Sequence, residues 1–124
     1  MLNNWLLVAL GGACGAVLRY GVVAATQLLG MTFPVGTLAV NVLGSFLIGI
    51  LATYWIVRTG GGTQLFFQTG LLGAFTTFSA FSLDTLTLWH SGHEKAAAIN
   101  VLLNVLLCLL AVAAGMAFGG NLAK

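Results

Sequence analysis

Charge is nearly absent from this chain. Lys and Arg number 4 and Asp and Glu 2, together 5% of 124 residues, against roughly 25% in an ordinary soluble domain. The four basic residues, Arg19, Arg58, Lys95 and Lys124, are scattered along the sequence. No basic patch exists, so a nucleic-acid partner is excluded. Metal-ligating residues are equally scarce. Cys14 and Cys108 both fall inside apolar runs, where a thiol is usually a small buried hydrophobe. His90 and His93 share a polar loop with no third ligand nearby, which argues against a zinc centre. No grouping of nucleophile, base and orienting residue is visible, so the sequence does not read as an enzyme. The opening MLNNW lacks the positively charged n-region and cleavage site of a secretory signal, so the first apolar run is expected to be retained as a spanning helix.

Apolar residues are what the chain has. They make up 60% of it, with a mean hydropathy of +1.07, which marks an all-α integral membrane protein. Four apolar segments follow one another without room for a soluble domain. The first, from about Trp5 to Leu29, would reach about 37 Å as a helix, enough to cross a hydrocarbon core of roughly 30 Å with some tilt. Trp5 suits the interfacial belt. Gly11 and Gly15 form a GxxxG pair that allows another helix to come close. Arg19 lies too deep for an end-of-helix position, so it must snorkel, pair, or line an aqueous vestibule.

After a short turn at Gly30 to Pro34, the second segment runs from Val35 to Val57, with Pro34 where a helix can begin. Thr37, Asn41, Gly44 and Ser45 recur at helical spacing and share one small, polar face. Asn41 is either an interhelical hydrogen-bond staple or a pore-lining amide, and the residues alone leave both open. Arg58 to Gln64, RTGGGTQ, reads as a flexible linking turn. The fourth segment, Ala96 to about Phe118, places Asn100 and Asn104 four apart on one face, where both amides need partners. Gly115 and Gly119 close that segment.

The third segment, ending near Leu88, is different in kind. Within GLLGAFTTFSAFSLD, residues 70 to 84, Gly70 and Gly73 weaken helix continuity, and Thr76, Thr77, Ser79, Ser82 and Thr85 set hydroxyls among phenylalanines. A membrane helix interrupted in this way must be buried in protein or face a hydrated path, because unsatisfied backbone groups in lipid cost several kcal/mol each. Asp84 lies near the end of the segment, where it reaches an interface or a vestibule. The loop charges are almost balanced: Arg58 and Lys124 fall on one side and Lys95 on the other. Such a chain is expected to insert both ways up, and a second, oppositely oriented copy would supply the two-fold symmetry that many permeation folds use.

Three motifs, GGACGAVLRY at 11 to 20, GTLAVNVLGSFLIG at 36 to 49 and GLLGAFTTFSAFS at 70 to 82, resemble in order and spacing the Fluc (CrcB-type) fluoride channels of bacteria and archaea. The resemblance covers nearly the whole chain, 1 to 124, as a single four-helix transmembrane channel domain. It implies an antiparallel, dual-topology homodimer in the cytoplasmic membrane of a prokaryote, with two pores that export fluoride passively and protect the cell from fluoride toxicity. On the matching positions, Asn41, Phe78 and Phe81 would line the pore, Thr37, Ser79 and Ser82 its polar track, and Arg19 a vestibule. One structural sodium ion on the two-fold axis would be held by the backbone carbonyls of Gly73 and Thr76 from both subunits. The chain departs from the family at Ala80, where threonine is frequent, at Asp84, where glutamate is usual, and in a fourth helix with no tyrosine.

The chemistry suits that implication. Fluoride is small and strongly hydrated, so a pore must replace its water with hydrogen-bond donors such as amides and hydroxyls. Phenylalanine edges carry the positive rim of the ring quadrupole and can face an anion. Two other readings compete. A small four-helix multidrug exporter shares the length and span count but needs a membrane-embedded carboxylate, and the first segment carries only Arg19, which favours anions. A non-transporting membrane assembly subunit would account for the small-residue motifs but leaves the hydroxyl-rich interruption unexplained.

Overall fold

The computed structural model describes residues 2–54, 61–122 and 124. Among these the regular structure is entirely helical: α1 (Leu2–Gln27), α2 (Val35–Tyr54), α3 (Gly61–Gln64), a π-helical stretch π1 (Leu65–Leu72), α4 (Gly73–Phe75), α5 (Phe78–His90) and α6 (Glu94–Leu122). Four spans are long and apolar enough to cross a membrane, Asn3–Gln27, Val35–Tyr54, Gly61–His90 and Glu94–Leu122. The third is the composite of α3, π1, α4 and α5.

Local chemistry sets the ends. Pro34 accepts from the Leu38 amide at 3.2 Å, so α2 starts immediately after the proline, where a missing N–H costs nothing. At the end of α5 the His93 amide reaches back to the Leu88 carbonyl at 2.9 Å and the Gly92 amide to Trp89 at 3.1 Å. Gly92 carries φ +80°, the left-handed turn of a glycine-terminated helix. The expected link from Arg58 to Gln64 is corrected in part, because Gly61–Gln64 is already helical. Arg58, Thr59 and Gly60, like the expected end of the second segment at Val57, lie outside the described residues.

Small residues decide which helices meet. A side chain at Gly11 would strike the Phe66 carbonyl and one at Gly15 the Leu71 carbonyl, so the GxxxG pair seats α1 directly on the backbone of π1. Gly70 returns the contact: a Cβ there would lie 2.8 Å from the Val8 carbonyl oxygen and 3.0 Å from the Gly11 Cα. The second close pair is α2 with α6. A Cβ at Gly115 would meet the Phe46 carbonyl group and lie 3.1 Å from the Ile50 amide nitrogen, and one at Gly49 would lie 3.0 Å from the Met116 amide nitrogen. In lipid, where apolar burial gives no drive to associate, such backbone-to-backbone contact supplies the dispersion energy. The α5 half of the third span leaves the α1 side and packs on α6.

Polar side chains share the interior with apolar ones such as Val40, Leu72 and Phe75. Thr37, Asn41, Thr77, Asn100 and Asn104 are all buried, while Trp5, Leu10, Val17, Leu106 and Leu110 are exposed. An apolar exterior around hydrogen-bonded polar groups is what a lipid solvent selects.

Candidate functional site

The interruption of the third span lies at Thr76 and Thr77. Gly73 itself is still helical at φ −60°, ψ −35°, whereas Thr76 takes ψ 156° and Thr77 is extended at φ −153°, ψ 116°. An extended residue presents its own N–H and C=O to the same side, as a residue in a β-ladder does. Asn41 on α2 takes that place. Its Oδ1 accepts from the Thr77 amide at 2.7 Å and its Nδ2 donates to the Thr77 carbonyl at 3.1 Å. The side-chain amide thus substitutes for the strand partner that the membrane interior does not offer.

From Asn41 the hydrogen bonds continue in one direction. Nδ2 of Asn41 also donates to Asn104 Oδ1 at 3.0 Å, and Asn104 Nδ2 donates to the side-chain and backbone oxygens of Asn100, each at 3.0 Å. Asn100, fully buried, donates to Thr85 Oγ1 at 3.0 Å, and Thr85 donates to the Phe81 carbonyl at 2.7 Å. The chain of donors starts at Thr77, the N-cap of α5, and ends in α5 itself at Phe81. Bonds aligned head to tail polarise one another, so the set is stiffer than its members alone. No buried side-chain nitrogen or oxygen among the described residues lacks a partner.

Most of the residues singled out from the sequence fall into three recesses, and Ser82 and Gly73 line none of them. A groove of about 460 Å³ brings Asn41, Phe78 and Phe81 together with Ser45, Thr76 and Asn104. Phe78 is 78% exposed and Phe81 only 8%, their rings edge to face at 5.3 Å between centroids. Thr37 stands apart in a cleft of about 190 Å³ near the start of α2, where it donates to Asp84 Oδ2 at 2.6 Å. Arg19, half-buried, shares a third recess of about 480 Å³ with Ser79 and Thr77. Thr77 therefore lies between the first recess and the third. Ser79 Oγ is 3.3 Å from Thr77 Oγ1, and Ser82 donates back to the Phe78 carbonyl at 2.9 Å. Gly73 opens α4, three residues before the break, and Thr76 is the first residue of the break itself. Sequence reasoning did not foresee the Thr77 peptide as a binding partner, nor the run from Asn104 through Asn100 to Thr85. The four-residue spacing of the two asparagines marked a shared face, but not what it would face.

A polytopic membrane protein, its polar groups gathered around a discontinuous third span, is the class that this fold and site define. The family described as CrcB-like protein, Camphor Resistance (CrcB), matches residues 6–116. The chain is 48% identical to a fluoride-specific ion channel FluC of Paracoccus denitrificans over 98% of each chain. It is 51% identical to a protein of the same description from Shewanella amazonensis, covering 92% of this chain and 94% of that one. A third relative so described, from Elusimicrobium minutum, is 49% identical over 93% and 92% of the two chains. The chain belongs to the CrcB family.

Proposed function

We propose that this protein is a fluoride-selective channel of a prokaryotic inner membrane, one four-helix channel domain that pairs with an oppositely oriented copy and lets fluoride leave the cell passively through two pores. The observation that carries this reading is similarity, along almost the entire chain, to proteins described as fluoride-specific ion channels. The groove at the break supports it with chemistry suited to a small anion: the ring edges of Phe78 and Phe81 beside amide and hydroxyl groups. The Thr37 and Asp84 cleft and the recess holding Arg19 and Ser79, neighbours that share Val23, would together form an entrance at one end of the pore. A permanent cation at Arg19 draws anions and repels cations, and lipid surrounds the apolar exterior.

Two carbonyls, at Gly73 and Thr76, support a structural sodium ion as part of this proposal. The amide four residues after Gly73 belongs to Thr77 and donates to Asn41, and the amide four residues after Thr76 belongs to Ala80 and donates to Thr77 Oγ1 at 3.1 Å. The helical partners of the Gly73 and Thr76 carbonyls are thus engaged elsewhere. In an antiparallel dimer these oxygens, doubled by symmetry, would suit a hard monovalent cation. When bound, the ion would supply the positive charge that satisfies them.

The test is fluoride efflux from liposomes holding the purified protein, with a potassium ionophore to carry the balancing current and a chloride-loaded control. Fluoride release without chloride release is expected. Monodisperse protein that releases neither ion, or both at equal rates, overturns the reading. Preparation in sodium-free buffer is expected to lower the flux or dissociate the dimer, with recovery when sodium returns. Unchanged flux after verified depletion removes the sodium site alone.

A further inference from the structure

An anion in the groove at the break needs donors, and most of its polar side chains have none to spare. Its polar lining consists of Asn41, Ser45, Thr76, Thr77, Asn104 and Cys108. Both hydrogens of Asn41 Nδ2 are taken, one by the Thr77 carbonyl and one by Asn104. Asn104 Nδ2 is turned to Asn100. The Thr76 hydroxyl donates to the Leu72 carbonyl at 3.0 Å, and the Thr77 hydroxyl caps α5 by accepting from Ala80 and shares a hydrogen bond with Ser79 at 3.3 Å, in which either hydroxyl can donate. Cys108 carries only a thiol, a weak donor. Ser45 is different. It is half-buried, one turn beyond Asn41 on the same face of α2, and its hydroxyl has no hydrogen-bond partner among the described residues.

We infer that Ser45 is an anion-contacting residue of the groove, donating its hydroxyl hydrogen to fluoride, while Asn41 acts as the positioning residue that holds the break open beside it. This rests on the fluoride-channel reading above. Releasing an Asn41 hydrogen for the anion would orphan a buried oxygen on Thr77 or Asn104 and leave its desolvation uncompensated, whereas rotating the Ser45 hydroxyl orphans nothing. A serine hydroxyl turns freely about its C–O bond, so it follows the ion without moving the backbone. Across the groove stand Phe78 and Phe81, and α5 begins at Phe78, so the positive end of that helix lies on the same side.

The inference is tested on the full chain in liposomes by comparing wild type, Ser45→Ala and Ser45→Thr. Alanine is expected to lower fluoride flux roughly tenfold or more, the loss of one hydrogen bond to a charged group, with an unchanged elution profile and thermal midpoint because no hydrogen bond to the described residues is removed. Threonine, which keeps the hydroxyl, is expected to retain most of the flux. Wild-type flux in Ser45→Ala overturns the inference, as does equal loss in both variants. A second readout does not depend on conduction. With Cys14 and Cys108 replaced by alanine, the thiol of Ser45→Cys is expected to react with a small methanethiosulfonate reagent more slowly in fluoride than in gluconate. If wild type conducts no fluoride but this protection is seen, the channel reading fails and the anion contact stands. Without protection, the anion contact falls.

Discussion

Asn41 combines two roles that its residue type left open, staple and groove lining. Its amide pairs with both backbone groups of Thr77 and with Asn104, so its chemistry is set by partners that are themselves buried. Asn41→Asp keeps the acceptor for the Thr77 amide but removes both donations and adds a negative charge at the groove. Fluoride efflux in liposomes is expected to fall by more than tenfold, because the new carboxylate repels an anion in the groove while the Thr77 and Asn104 oxygens lose their donor. Flux near the parent rate would leave Asn41 a staple with no part in permeation. The phenylalanines separate in a way their spacing did not announce. Phe78, exposed at 78%, packs within one chain mainly through its ring edge on Phe81, whereas Phe81 at 8% is part of the core. Phe78→Ile is therefore expected to leave the thermal midpoint within a few degrees, as surface changes usually stay within about 0.5 kcal/mol, while cutting flux through loss of the ring edge. Phe81→Ile is expected to lower both, and unimpaired flux in both variants would argue for packing alone.

At the scale of elements, the interruption is made by pairing as well as by helix propensity. The sequence pointed to Gly70 and Gly73 as weak places, yet Gly73 is helical and the extended residues are two threonines. β-branched residues accept the extended conformation readily, and the bonds from Asn41 and the Thr77 cap hold them there. The glycines instead serve close approach, Gly70 against α1 and Gly115 against α2. Gly115→Val would push a branched side chain into the Phe46 carbonyl group, an overpacking cost of about 1–3 kcal/mol or more. Loss of monodisperse protein, or a lower melting temperature in detergent, is the expected result. The same change at Gly120, where an added Cβ meets nothing within 4 Å, is expected to be tolerated within the error of the measurement. Equal effects at the two sites would mean that the α2 and α6 contact does not limit stability.

For the molecule as a whole, topology follows from charge outside the spans. Two basic residues on one side and one on the other give little orientation bias. Adding three lysines to the loops on one side is expected to trap a single orientation and abolish flux from that form alone, read by labelling of tagged termini and by efflux. Restored flux on mixing oppositely trapped chains would complete the case for an antiparallel pair, and full activity from chains all one way up would overturn it. The number of spans, their approximate ends, the polar face of α2 and the disturbed third span were all decided by the sequence itself. Apolar length, helical period and propensity are local properties that neighbouring residues carry. Partner choice was decided only by tertiary structure. Asn41 meets Thr77 and Asn104 across 36 and 63 residues of chain, and Thr37 meets Asp84 across 47. A buried amide or hydroxyl must find a partner, but which one it finds depends on how glycine contacts set the helices beside one another. That placement assigns Asn41, Thr37 and Arg19 to three different recesses, and leaves Ser45 as the hydroxyl of the groove that no neighbour claims.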